Sequence, residues 1–218
     1  MKTNIRTFIN TLALAAVAGM LAGCATSGYE QGEKTATSLQ QTAAEIELAK
    51  GQVQNSLDAL NSLMQKPGAD LRPQYKTFSS SVSAIVATAS RMSAKADAMK
   101  ASGQAYSALW DANIATIQNP DIRSSSAARK KSVMDSLAVV QSSYQTTMSK
   151  FNPFLSNLQD IDKALSADLT PGGLDAMKDI AKQANSNGTD LIASLNTLGS
   201  DCRDLAGKMS TVSVKPAN

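Results

Sequence analysis

Leu71-Arg-Pro-Gln-Tyr75-Lys-Thr-Phe78-Ser-Ser-Ser-Val82-Ser-Ala-Ile85-Val-Ala-Thr-Ala89-Ser-Arg-Met92 opens a pattern that decides the fold. Apolar residues recur at alternating steps of four and three: Leu71, Tyr75, Phe78, Val82, Ile85, Ala89 and Met92. The series continues through Ala96, Met99, Gly103, Tyr106 and Trp110. Polar residues fill the spaces. A strand would repeat every second residue, so this spacing predicts an α-helix packed along a seam. Pro73 falls in the first turn, where a missing N–H is tolerated, and Asp70 suits the N-cap. An aromatic and methionine stripe at this spacing reads as core, not as a cofactor box.

Three further segments carry the same signal. Upstream, Leu39, Ala43, Ile46, Val53, Leu57, Leu60 and Met64 form a seam that skips only Lys50. That lysine reads as a snorkelling or register-setting side chain. Downstream, one seam runs from Val133 through Leu137, Val140, Tyr144 and Met148 to Leu165, interrupted by Pro153. Proline removes a backbone hydrogen bond and clashes with the preceding turn, so a kink is expected near Lys150 to Pro153. Phe151 and Phe154 are placed to fill the gap. The last seam starts at Leu174 and Met177 and runs through Leu191, Leu195, Leu198, Cys202 and Leu205 to Met209. Asn185-Ser-Asn-Gly188 is its expected weak point.

Breakers separate the segments. Pro67-Gly68 ends the first and Asn119-Pro120-Asp121 the second, with Asp121 or Ser124 as cap of the third. Leu169-Thr-Pro-Gly-Gly173 precedes the fourth, with Thr170 as N-cap and Pro171 at its first position. The expectation is an all-α chain with helices at about 29–65, 71–118, 122–167 and 171–211. At 1.5 Å per residue each is about 50–70 Å long. Near-equal helices on short turns give an elongated antiparallel four-helix bundle, up-down-up-down, in one domain over 29–211. Bulky Phe78 and Val82 fall level with small Ala181 and Ala184, and small Ala89 and Ala96 level with Leu191, Leu195 and Leu198. Such size matching is how a core interdigitates.

The N-terminus reads differently. Lys2 and Arg6 precede an apolar run from Phe8 to Leu21 that ends in Leu21-Ala22-Gly23-Cys24. A charged start, a short apolar core and small residues mark a signal peptide over 1–23. The run is short for a membrane span, which takes about 20 residues. The closing four residues resemble the lipobox of bacterial lipoproteins. That resemblance implies cleavage between Gly23 and Cys24, diacylglycerol on the Cys24 sulfur and an N-acyl chain, palmitate among them, on its amine. It implies no other cofactor. Ala25 stands where that class often carries an inner-membrane-retaining Asp, so it implies the outer membrane, periplasmic face. An ordinary secretory signal with a chance Cys, or an uncleaved anchor helix, is the alternative. Residues 24–28 would be the lipidated tether, and 212–218 a short mobile tail.

Removing 1–23 takes two of the 21 basic residues and none of the 18 acidic ones, so the net charge falls from +3 to +1. With four Phe, four Tyr and one Trp, such a chain lacks a nucleic-acid footprint. The absence of His excludes His-ligated haem, ordinary zinc sites and His-dependent triads. The carboxylate pairs Glu45/Glu47 and Asp160/Asp162 stand two residues apart and so point to different helix faces. No catalytic and no metal-binding residue is assigned. Cys202 sits in a seam as a small apolar residue would; a free buried thiol and a bridge between chains are both open to it.

Antiparallel topology brings the turn at Asn119-Pro120 and the C-terminus back toward the anchor. Trp110, Arg123, Arg129, Lys130, Lys131 and Lys208 would then lie near a lipid surface, diluted by Asp111, Asp121, Asp201 and Asp204. The simpler reading of Arg129-Lys-Lys131 is a solvated face.

Phe151-Asn-Pro-Phe-Leu155 with Leu158-Gln-Asp-Ile161, and Leu169-Thr-Pro-Gly-Gly-Leu174, are similar to a family of helical bacterial envelope proteins known only as a domain of unknown function. The resemblance implies an all-helical envelope protein and supplies no catalytic residue. The first functional expectation is a non-enzymatic, membrane-anchored scaffold that docks an envelope protein through its helix faces or distal turns. The second is a carrier or sensor of an apolar ligand or lipid within the bundle. Crosslinking to peptidoglycan through a terminal Lys is not expected with Asn218 last. The oligomeric state is open, since heptad faces pair between chains as well as within one.

Overall fold

The computed structural model describes residues 27–211. The expected signal peptide with Gly23 and Cys24, and the expected tail at 212–218, lie outside the described residues. Five helices follow one another: α1 Gly28–Gln65, α2 Arg72–Thr116, α3 Pro120–Ala167, α4 Pro171–Ala176 and α5 Lys178–Met209. No strand occurs among the described residues. The faces α1–α2, α2–α3, α3–α5 and α5–α1 pack, which closes an up-down-up-down bundle. The expected fold is thus the observed one, apart from a break in the fourth segment.

The core is the set of seams. Leu39, Leu60, Phe78, Ile85, Phe151, Phe154, Leu158, Ile161 and Leu191 are buried to within 2 % of full exclusion. Lys50 is half-buried and ion-pairs with Glu47 at 2.7 Å, while Ala49 takes the seam position beside it. Five buried hydroxyls, on Thr35, Thr42, Ser56, Thr88 and Thr147, each donate to the carbonyl four residues back, so their burial leaves no donor unmet. α3 runs unbroken through Pro153, with Phe151 and Phe154 both fully buried beside it.

Several local expectations are corrected. Asp70 does not sit at the N-cap of α2. Leu71 does, and Asp70 Oδ1 accepts from the Arg72 N–H at 3.0 Å from one residue further out. α3 is capped by Asn119, whose Oδ1 accepts from Asp121 and Ile122 N–H at 2.9 and 3.1 Å. Pro120 therefore takes the first helical position, and neither Asp121 nor Ser124 caps. α1 starts with a capping box not read in the sequence. Glu30 N–H donates to Ser27 Oγ, and Ser27 N–H donates to Glu30 Oε2 at 2.8 Å. That Ser27 N–H holds the Glu30 carboxyl below its usual range.

The fourth helix breaks at Met177, not at Asn185-Ser-Asn-Gly188. Asn185 instead forms a reciprocal amide pair with Asn61, at 2.9 and 3.0 Å, and donates to the Ala181 carbonyl. Gly188 is there because of packing. A Cβ on it would lie 2.8 Å from Leu57 Cδ2 and 3.0 Å from Phe154 Cε2. The direct size matching thus lies between adjacent helices. α2 and α5 lie across the diagonal of the bundle and not side by side.

The helices keep the unequal lengths that the expected bounds carry. α2 and α3 span 45 and 48 residues against 38 for α1. Both distal turns are short, so the surplus emerges at the end where α1 begins. From 111 to 129 only Ile114, Ile117 and Ser126 are partly covered. Neither α1 nor α5 extends far enough to bury more.

Candidate functional site

The bundle has two chemically distinct ends. Trp110, Arg129, Lys130 and Lys131 lie at the end where α1 starts. Each also has a partner within the chain. Trp110 Nε1 donates to Ser126 Oγ at 3.1 Å, and its ring lies 5.2 Å from that of Tyr106. Arg129 Nη2 donates to the Lys208 carbonyl, in the last turn of α5. Lys130 pairs with Asp111 at 2.5 Å and Lys131 with Asp135 at 2.7 Å. Glu33 Oε2 accepts from the N–H and the hydroxyl of Thr211, at 2.9 and 3.0 Å. These bonds fasten the C-terminal end of α5 beside the start of α1. Gly23 and Cys24 lie outside the described residues, four residues or so before α1.

At the opposite end the turn 66–71 and the turn 168–170 enclose a cleft of about 650 Å³. Its floor is apolar: Met64, Leu71, Leu169 and Leu174. Two ion pairs stand on its rim, Arg72–Asp70 at 2.9 Å and Lys178–Asp175 at 2.7 Å. The Arg72 guanidinium holds the Asp70 carboxyl below its usual range. Both pairs are solvated and add little to stability.

The cleft exists because of the Leu169-Thr-Pro-Gly-Gly-Leu174 stretch. Thr170 Oγ1 accepts from the Gly173 N–H at 3.1 Å and donates to Asp168 Oδ1 at 2.7 Å. A Cβ on Gly173 would collide with the Asp168 carbonyl oxygen, whereas one on Gly172 would meet only Thr170 Oγ1, at 3.7 Å. The second glycine is therefore the one the turn requires. The chain then bends at Met177, whose N–H reaches back to the Leu174 carbonyl. This sets the six-residue α4 apart as one wall. Neither the cleft nor the bend is marked in the heptad pattern, which continues through Met177.

A third feature lies in the core. Ile46, Met92, Met99, Tyr144, Leu198 and Cys202 line a crevice with room for about 10 Å³, the size of one water at most. Burial pushes the Cys202 thiol up to about 12. Cys202 is free and fully buried. A second chain's sulfur cannot reach it without opening the bundle. Native protein should therefore resist thiol reagents and react at the rate of unfolding. The pH dependence follows. Between the ordinary thiol value and about 12 the unfolded chain loses this proton and the folded one keeps it. Stability should fall with rising pH across that window, by about 1.4 kcal/mol per unit for this group. Chemical denaturation of the native chain and of Cys202→Ala from pH 8 to 11 checks this; the variant should show the shallower decline.

Among the described residues no group of three or more His, Cys, Asp or Glu side chains is arranged to hold a metal ion. No helix there is long and apolar enough to cross a membrane. The fold and its two ends define an all-helical bundle with an apolar, charge-rimmed cleft at one tip. The sequence model of the family described as "Protein of unknown function (DUF2959)" matches residues 22–205, and the chain belongs to that family. No curated protein and no solved structure matches it.

Proposed function

We propose that the protein is a non-enzymatic lipoprotein of the outer membrane, acylated on Cys24, whose bundle is a spacer that presents its distal cleft to a partner in the periplasm. The observation that carries this reading is the position of the cleft. It lies at the far end of helices about 60–70 Å long from the end that leads back to Cys24. An apolar floor of four side chains between two ion pairs suits an anchor residue or two from a partner, with the charges setting register. Mass and fractionation behaviour of Cys24 variants test the anchor, as argued in the Discussion.

The docking end is tested by photocrosslinking in cells. A crosslinking residue at Lys66 or at Asp168, on either side of the cleft, should trap the same species. One at Asp58, exposed on the shaft of α1, should not. Leu71→Asp should abolish the adducts from both rim positions while leaving the helical signal intact. Adducts that form equally from the shaft, or survive Leu71→Asp, defeat the proposal. A ligand carrier is the other reading of such a bundle, but a core crevice of about 10 Å³ offers it no supporting observation.

A further inference from the structure

The α2–α3 tip stands proud of the rest of the bundle. Contacts between the helices measure by how much. Ser143 with Asp201, Thr147 with the Ser194 carbonyl and Ser136 with Lys208 fix the register of α3 on α5, so α5 ends at about the level of Val133, and Arg129 reaches back to the Lys208 carbonyl. α3 extends about thirteen residues beyond that level to Pro120, roughly 20 Å. On the other side Gly28, the first residue of α1, abuts Asn113, and a Cβ there would lie 2.9 Å from its amide nitrogen. α2 continues past Asn113 to Thr116, about 5 Å more, before the turn at 117–119.

This overhang is built, not frayed. Arg123 Nε and Nη2 both donate to the Ile117 carbonyl, at 2.9 and 2.6 Å. Asn119 caps α3 through two N–H groups. The braced turn presents Ile122, 58 % exposed, with Ile117 half-covered beside it. Arg123 uses two of its donors on Ile117 and is exposed. Asp121 is exposed at the same tip and offsets its charge. Tyr29, 66 % exposed, stands in the first turn of α1 at this end. By contrast Lys130 and Lys131 are ion-paired and sit some 15 Å behind the tip.

We propose that this tip, Ile117 to Arg123, rests in the phospholipid headgroup layer as a second foot beside the acylated residue. The proposal rests on the acylation of Cys24. Four residue steps separate Cys24 from Gly28, at most about 14 Å whatever their path. The tip lies at least 5 Å or so beyond Gly28 along the bundle axis. The remaining gap is thus under about 10 Å, within reach of a headgroup layer several ångströms deep. A lone isoleucine with one arginine binds lipid weakly, but the anchor makes the contact intramolecular. Because the tip is already braced, docking it orders little chain. Because Asp121 offsets Arg123, contact should not require anionic lipid. Two feet on one end face would hold the rod upright, with its cleft directed away from the membrane.

The test uses the full chain, purified from membranes and reconstituted into phosphatidylcholine vesicles carrying doxyl-labelled phospholipid. An environment-sensitive fluorophore goes on Gln118→Cys, and in a second preparation on Lys66→Cys at the distal end; Cys202 is buried and Cys24 is blocked by lipid when acylated. Intact mass reports the acyl groups separately. The expected result is blue-shifted emission from 118 that the doxyl lipid quenches, water-like emission from 66, and loss of the quenching at 118 on Ile122→Asp. Unquenched, water-like emission from 118 in protein whose mass shows acylation overturns the contact and spares the anchor. A blue shift insensitive to doxyl lipid means that protein, a second copy or the chain's own end, covers the tip, and also overturns it. A mass without acyl groups removes the anchor and the contact together.

Discussion

Replacing Cys24 with alanine is expected to reduce incorporation of labelled palmitate to background and to leave the chain uncut before residue 24. The reasoning combines the sequence before Ser27 with the structure after it. In the lipoprotein class that Leu21-Ala-Gly-Cys24 resembles, the thiol must carry diacylglycerol before the peptidase cuts. No other side chain in that stretch can form the thioether, and the second cysteine, Cys202, is fully buried in α5. No helix of the described residues offers an alternative span. One acyl chain binds membranes marginally, at about 10⁴ M⁻¹, whereas three on one residue hold the protein effectively for good. The native chain should accordingly stay with membranes through salt and alkaline washes, and its mass should be that of residues 24–218 plus acyl groups. A native mass retaining Met1, or palmitate incorporation that persists in Cys24→Ala, would falsify the lipoprotein reading.

Phe154→Ala should be among the most destabilising single substitutions in the bundle, by about 3–5 kcal/mol in chemical denaturation. Phe154 is fully buried next to Pro153, where α3 has one backbone N–H fewer to hold it. Its ring lies against Gly188 of α5, so removal leaves a void between α3, α5 and Leu57 of α1. The site is rigid on both sides, which limits collapse into the void. The converse change, Gly188→Leu, should cost about 1–3 kcal/mol by overpacking against Leu57 and Phe154. Combined, the two should destabilise by less than their sum, because the new leucine occupies the volume the ring vacates. Full additivity would mean that the ring and the glycine are not packed against each other as described.

The coupling of these two positions shows what was legible in the sequence. Phe154 was readable as filler only from standing beside Pro153; the seam itself ran through Leu155, which is only partly buried. Gly188 was readable as a seam position and as a helix weakness, but not as a close contact, because its packing partners are 34 and 131 residues away. Asn185 misleads for the same reason: its amide is met by Asn61, on another helix. The caps divide along a similar line. Thr170 with Pro171 was plain from adjacent residues, and the Ser27–Glu30 box was there to be read. The Asp70 assignment failed by one residue, since an Asp can reach the first free N–H from either of two positions.

Heptad periodicity with its Pro, Gly and Asn breakers determined that this is an all-helical bundle, where its turns fall and most of which residues are interior. That information is local: a helix of 3.6 residues per turn shows one stripe to its neighbours, and the stripe is written in consecutive residues. How far each helix runs past its neighbours is not local. It is set by which residues of different helices stand at the same height, as Ser143 does with Asp201 and Thr35 with Ser102. That register decided the projecting α2–α3 tip, where one helix continues and its neighbour does not, and it brought the turn at 168–170 beside the turn at 66–71 to form the cleft.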